Sequence, residues 1–181
     1  LTGWSQGGIK VELQRRGCGP VGEPPSQGKR RSGVAELLGE HHYQMDPKGR
    51  ISLPAKFRDA FKAGVHLTLG QEGCLYAFPP DRWSQERDRV EERALADRDS
   101  RAYTRIFFGN AEHVDLDAQG RLVVPRRLRD KVRLSRDVAV IGVADRLEIW
   151  PEEEWARYAE SLESSYQSGT LQAGREKGEG G

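Results

Sequence analysis

The nine residues Asp46-Pro47-Lys48-Gly49-Arg50-Ile51-Ser52-Leu53-Pro54 recur as Asp117-Ala118-Gln119-Gly120-Arg121-Leu122-Val123-Val124-Pro125, at an offset of 117 − 46 = 71 positions. Both copies read Asp-x-x-Gly-Arg, three residues of strand character, then Pro. That spacing has a local physical meaning. Asp at the first position of a turn, Pro at the second and Gly at the fourth fit a type I turn closed by a glycine at positive φ, the G1 bulge arrangement. Such a turn joins antiparallel strands, which predicts that 41–45 pairs with 51–53 and 113–116 with 122–124. Pro54 and Pro125 suit the opening turn of a short helix. Arg50 and Arg121 then emerge directly after a tight turn, at a tip from which a guanidinium reaches outward.

The likeness continues past the motif. Lys56-Phe57-Arg58-Asp59 aligns with Arg127-Leu128-Arg129-Asp130 at the same offset. With one extra residue in the second copy, Leu75-Tyr76-Ala77-Phe78-Pro79 aligns with Leu147-Glu148-Ile149-Trp150-Pro151, and Trp83 with Trp155. This is an internal duplication. Each unit is too short to bury a secure core alone, so the two copies are expected to pack on each other about a shared pseudo-two-fold. Between the motifs the pattern predicts a helix over 55–62 with Phe57 and Phe61 on one face, and strands over 65–69 and 74–78. A charged helix follows from Pro80 to about 95, then another over 100–108. The second copy repeats the order, with a helix over 126–133, strands over 138–143 and 146–150, and a helix over 152–166. Trp83, Trp150 and Trp155 read as packing residues.

Net charge is +1, but it is unevenly spread. Residues 48–62 hold Lys48, Arg50, Lys56, Arg58 and Lys62 against Asp59 alone, and 121–136 hold seven cations against Asp130 alone. Two basic patches at equivalent places suit a polyanionic partner, whereas the near-neutral total argues against a histone-like coat. Residues 1–38, rich in Gly, Pro, Ser and Arg and without period, read as an unstructured extension, and 169–181 as a frayed Gly-rich tail. Leu1 is not a Met and Met45 is the only Met, so the native start is expected near Val34. N-terminal sequencing of the native protein tests this. No apolar run is long enough to span a bilayer, and Cys18 and Cys74 read as reduced thiols of a cytoplasmic protein. There is no Gly-rich phosphate loop, nucleophile elbow or catalytic triad pattern, so no enzyme, small-molecule substrate or cofactor is expected. His42 and His113 are equivalent positions, but no other ligand type recurs at metal spacing, so no metal is expected.

A duplicated Asp-x-x-x-Arg with Gly-Arg-hydrophobic-x-hydrophobic-Pro resembles the MraZ family, and the resemblance covers about 39–166. Leu53-Pro54-Ala55-Lys56-Phe57-Arg58 and Glu148-Ile149-Trp150 carry it further. It implies an α+β fold of two tandem AbrB-like swapped-hairpin β-barrel units with short helices. The units would be SpoVT-AbrB-type domains over 40–84 and 111–154, with a helical connector at 85–110 and a C-terminal helix at 155–168. It also implies a homo-oligomeric ring, a face that binds double-stranded promoter DNA, and repression of the operon for division and cell-wall genes. The expected location is the cytoplasm, at the nucleoid.

Arg50 and Arg121 have two readings. Arginine pairs bidentately with guanine O6/N7 or with phosphate oxygens; alternatively each pairs with its own motif Asp and braces the turn. Both can hold at once, with the carboxylate orienting the guanidinium. Asp46 and Asp117, with Gly49 and Gly120, read as turn-forming groups, because a carboxylate repels phosphate. Lys48, Lys56, Arg58, Arg126, Arg127 and Arg129 are candidate phosphate contacts, about half of which are expected to be solvated or subunit-pairing instead. The function expected is a sequence-specific DNA-binding transcriptional regulator. The alternative is an interaction ring whose tips dock protein.

Overall fold

The structure, a computed structural model, describes residues 36–171. The expectations for Cys18, for a start near Val34, and for most of 1–38 and 169–181 lie outside these residues.

The described residues form eight strands and five helices: β1 (Leu37–Gln44), β2 (Arg50–Ser52), α1 (Ala55–Arg58), β3 (Val65–Leu69), β4 (Leu75–Phe78), α2 (Pro80–Arg93), α3 (Arg98–Gly109), β5 (Glu112–Val114), β6 (Arg121–Val123), α4 (Arg126–Lys131), β7 (Asp137–Ala144), β8 (Leu147–Pro151) and α5 (Glu152–Gln167). Prolines start the helices as their spacing predicts. Pro54, Pro79, Pro125 and Pro151 each occupy the N-cap, where a missing N–H costs nothing. α1 is shorter than expected. After Arg58 the chain continues in tighter turns, with Ala60 N–H donating to Phe57 O and Phe61 N–H to Arg58 O, and Gly64 ends the segment at φ 99°.

Strand pairing departs from the hairpin expectation. β1 does not pair with β2, nor β5 with β6; of the expected second hairpin there is one isolated bridge, from Leu116, beyond the end of β5, to Leu122. Instead β1 pairs with β7 of the other copy, β5 with β3, and β2 with β6, all antiparallel. The main sheet runs β1-β7-β8-β4-β3-β5. The β3–β4 and β7–β8 hairpins meet at its centre, and each outer strand belongs to the opposite copy. The first strand also starts earlier than expected, at Leu37, inside the span assigned to the extension. Leu37 is buried and lies opposite Ala144.

Side chains of alternate parity divide the core in two. Leu75 and Ala77 of β4, Val138 and Val140 of β7, and Leu147 and Ile149 of β8 pack with Ile51, Leu122, Phe57, Phe61 and Leu128 of the ribbon and short helices. Tyr76, Phe78, Ala139, Ile141 and Trp150 face the other way, onto Val90 of α2, Phe107 of α3 and Trp155 and Tyr158 of α5. Covered on both faces, β4 is buried at every residue, which is why its sequence is a continuous apolar run. Cys74 is buried too, and burial pushes its thiol pKa upward, so it is inert.

α5 is tied to β1 through a charged cluster. The His42 ring lies 2.7 Å from Glu152 and 3.1 Å from Glu40, and Trp155 Nε1 donates to Glu40 at 2.8 Å. The hydrogen bond to Glu152, above all, raises the pKa of His42. A raised histidine contributes stability that is complete below its unfolded value of about 6.5 and lost as pH rises through the folded value. The thermal midpoint is therefore expected to fall on going from about pH 6 to about pH 9, and His42→Gln to remove part of that fall. The pair is half exposed, so the effect is about 0.2–1 kcal/mol. Identical slopes in the two proteins would contradict it.

Candidate nucleic-acid interface

The two motif turns are built identically. Asp46 Oδ1 accepts from the backbone N–H of Lys48 at 2.9 Å and of Arg50 at 3.0 Å, while Oδ2 accepts from Arg50 Nε at 2.5 Å. Asp117 Oδ1 accepts from Gln119 N–H at 3.0 Å and Arg121 N–H at 2.9 Å, and Oδ2 from Arg121 Nε at 2.7 Å. Gly49 and Gly120 close their turns onto Asp46 O and Asp117 O, both at 2.8 Å. Their φ angles, 81° and 72°, are in the left-handed region that glycine enters without strain. The hydrogen bonds from Arg50, its backbone N–H first, hold Asp46 below the usual carboxylate pKa. At Asp117 burial pulls upward, but the bonds from Arg121 outweigh it and the pKa is again lowered. Both carboxylates are thus charged at neutral pH. The stability they add is present above about pH 4 and lost as pH falls through the depressed values.

What the turns present is decided by the β2–β6 ribbon. Its register sets Arg50 opposite Val123, Ile51 opposite Leu122 and Ser52 opposite Arg121. Ile51 and Leu122 are fully buried. By strand alternation Arg50, Ser52, Arg121 and Val123 all share the opposite, solvent face. The two motif arginines, 71 residues apart in sequence, are therefore neighbours on one small surface.

Each turn is backed by the other copy. A Cβ added at Gly49 would lie 2.8 Å from Arg129 Cζ, and one at Gly120 would lie 2.8 Å from Arg58 Nε. Gly49 O accepts from Val124 N–H at 2.8 Å, and Gly120 O from Leu53 N–H at 3.4 Å. Gly49→Ala and Gly120→Ala are each expected to cost about 1–2 kcal/mol from the left-handed backbone alone, with the arginine displacement added. Gly73→Ala, at φ 93° with nothing within 4 Å, incurs only the backbone cost. Urea unfolding measures the difference. Equal losses at 49, 73 and 120 would show that the arginines do not confine the turns.

The other candidate cations divide by what they touch. Lys48 is exposed on the first turn. Beside the same turn a cleft is lined by Asp46, Arg129, Ser135 and Arg136. The equivalent cleft beside the second turn has Asp117, Gln119, Arg58 and Lys62. These clefts bring Arg58 and Arg129 to the tips, with Arg136 and Lys62 as flanking cations. Arg129 Nε is buried without a hydrogen-bond partner, whereas Arg58 Nε donates to Leu53 O at 3.2 Å. Arg126 is exposed, 3.6 Å from Asp130. Lys56 and Arg127 are engaged elsewhere. Lys56 Nζ donates to Leu38 O at 2.9 Å, and Arg127 binds Glu112 at 2.6 Å and Gly109 O at 3.2 Å, fastening α4 to the end of α3.

The two tips are not equal. Arg121 Nη2 donates to Gln119 Oε1 at 3.1 Å. The residue in that place in the first turn is Lys48, which accepts nothing, and Arg50 donates to no protein group but Asp46 among the described residues. Ser52 and Val123 complete this solvent face beside the two arginines. Their signal in the sequence is the period-2 alternation Arg-Ile-Ser and Arg-Leu-Val.

The family whose description is "MraZ protein" matches the chain twice, over 37–106 and 107–173. Similar proteins named "Transcriptional regulator MraZ" include one from Clostridium beijerinckii, 41% identical over 69% of this chain and 88% of its own length. Another from Salinispora arenicola is 42% identical over 72% of this chain and 92% of its own. A third, from Syntrophomonas wolfei, is 40% identical over the same shares.

Proposed function

The chain belongs to the MraZ family, and on that premise we propose that it is a transcriptional regulator that binds double-stranded promoter DNA through the β2–β6 ribbon. The observation that carries the reading is the shared solvent face of Arg50 and Arg121. A two-stranded ribbon is of a size the major groove admits, and arginine is the side chain best matched to guanine O6/N7 there. The Asp46 and Asp117 pairs take the Nε atoms and fix the planes of the guanidinium groups, so orientation and bracing are one device. Arg129 and Arg136 line the cleft beside the first turn, Arg58 and Lys62 the cleft beside the second, and Lys48 is exposed on the first turn, which supports assigning these cations to the phosphate backbones.

The cross-copy pairing of β1 with β7, β5 with β3 and β2 with β6 supports the swapped-hairpin barrel reading. One subunit offers few cations, so its affinity is modest. A homo-oligomeric ring presenting several ribbons to repeated promoter elements would bind avidly where the repeat spacing fits. In this role the protein acts at the nucleoid, as a repressor of the division and cell-wall operon that includes its own gene. Among the described residues no helix is long and apolar enough to cross a membrane.

Anisotropy titrations of the chain on a duplex of its own upstream DNA, at about 50 and about 200 mM salt, test the reading. Several phosphate contacts predict a linear fall of log K with log salt, on the order of a hundredfold or more over this range. Salt-independent association, or assembly with no duplex binding, would favour a ring whose tips dock protein.

A further inference from the structure

The solvent face of the ribbon carries four side chains, and only two of them are motif arginines. Ser52 and Val123 are the other two, and they are equivalent positions of the duplication, 71 residues apart. Val123 is 39% exposed, an apolar side chain that its neighbours cover only in part. The register pairs it with Arg50 of the other copy, while Ser52 pairs with Arg121. The face therefore consists of two crossed units, Arg50 with Val123 and Arg121 with Ser52. They are alike in the arginine and unlike in its companion.

Resting on the DNA reading above, we propose that Ser52 and Val123 are specificity-determining residues. Val123 selects a thymine C5-methyl beside the guanine read by Arg50, and Ser52 makes no such demand beside Arg121. Major-groove chemistry assigns these roles. An apolar side chain gains from the thymine methyl, the only apolar group presented there, whereas a hydroxyl pairs with donors and acceptors of several bases. The pseudo-two-fold ribbon thus has a direction. Its two half-sites are not interchangeable, and Gln119 adds to the difference by holding Arg121 Nη2.

The test uses the full chain and a duplex of the segment upstream of its own coding sequence, with each thymine in turn replaced by deoxyuridine to remove one methyl. Wild type is expected to lose about fourfold in affinity at one thymine per bound element, the amount one buried methyl contributes. Val123→Ser should abolish that sensitivity. The exchanged protein, Ser52→Val with Val123→Ser, should move it to the other half-site. Both positions are exposed, so the unfolding midpoint is expected to stay within error of wild type and serves as the folding control. A flat deoxyuridine scan, with duplex binding still lost in Arg50→Ala, would overturn the role of Val123 and leave the DNA reading standing. Failure of folded wild type to bind the duplex would overturn both.

Discussion

Replacing both Arg50 and Arg121 by Ala is expected to reduce affinity for the upstream duplex by roughly thirtyfold to ten-thousandfold. Each bidentate base contact discriminates by about 1–3 kcal/mol, and two are lost. The fold should survive. Each turn keeps two backbone hydrogen bonds to its Asp and its glycine closure. The lost ion pairs are partly exposed surface pairs, which contribute little to stability. Arg50→Lys with Arg121→Lys separates charge from geometry. Lysine preserves the phosphate attraction and the salt slope but not the planar fork, so the preference for upstream over scrambled duplex should collapse while non-specific binding remains. Loss of the fold in the alanine variant, measured by circular dichroism, would instead make bracing the main role of these residues.

The second large effect lies behind the ribbon. Ile51 and Leu122 are opposite one another across the copies and are fully buried against the main core. Ile51→Ala and Leu122→Ala should each cost about 2–5 kcal/mol, against a total stability of about 5–15 kcal/mol for a domain. At about 2–4 °C per kcal/mol for a chain of this size, the midpoint should fall on the order of 10 °C. The two residues touch, so the double variant should cost less than the sum of the singles. Because this pair aligns both tips at once, either variant should also weaken DNA binding through both arginines. A drop of less than about 2 °C would show that the ribbon is not seated on the core as described.

The turns were legible because their hydrogen bonds are local. Everything that holds Asp46 to Arg50 lies within five residues, and the same chemistry is written out twice. Helices α2 and α5 were legible for a similar reason, since Pro79 and Pro151 mark their starts. Strand partners were not. Nothing in 41–45 or 51–53 says that the pairing strand comes from the other copy. The same blindness applied to Lys56 and Arg127, whose partners Leu38 and Glu112 are brought near only by the fold. Positive charge in a patch was readable. Which charges were already engaged was not.

In the proposed complex the guanidinium groups of Arg50 and Arg121 meet the duplex. Arginine-specific dicarbonyl labelling of the full chain, read residue by residue by mass spectrometry with and without the upstream duplex, addresses this contact directly. Arg87, Arg89 and Arg157 on the outer faces of α2 and α5 serve as internal controls. Bound DNA is expected to suppress labelling at Arg50 and Arg121 and to leave the controls unchanged. Unchanged labelling at both motif arginines with the duplex demonstrably bound would contradict it.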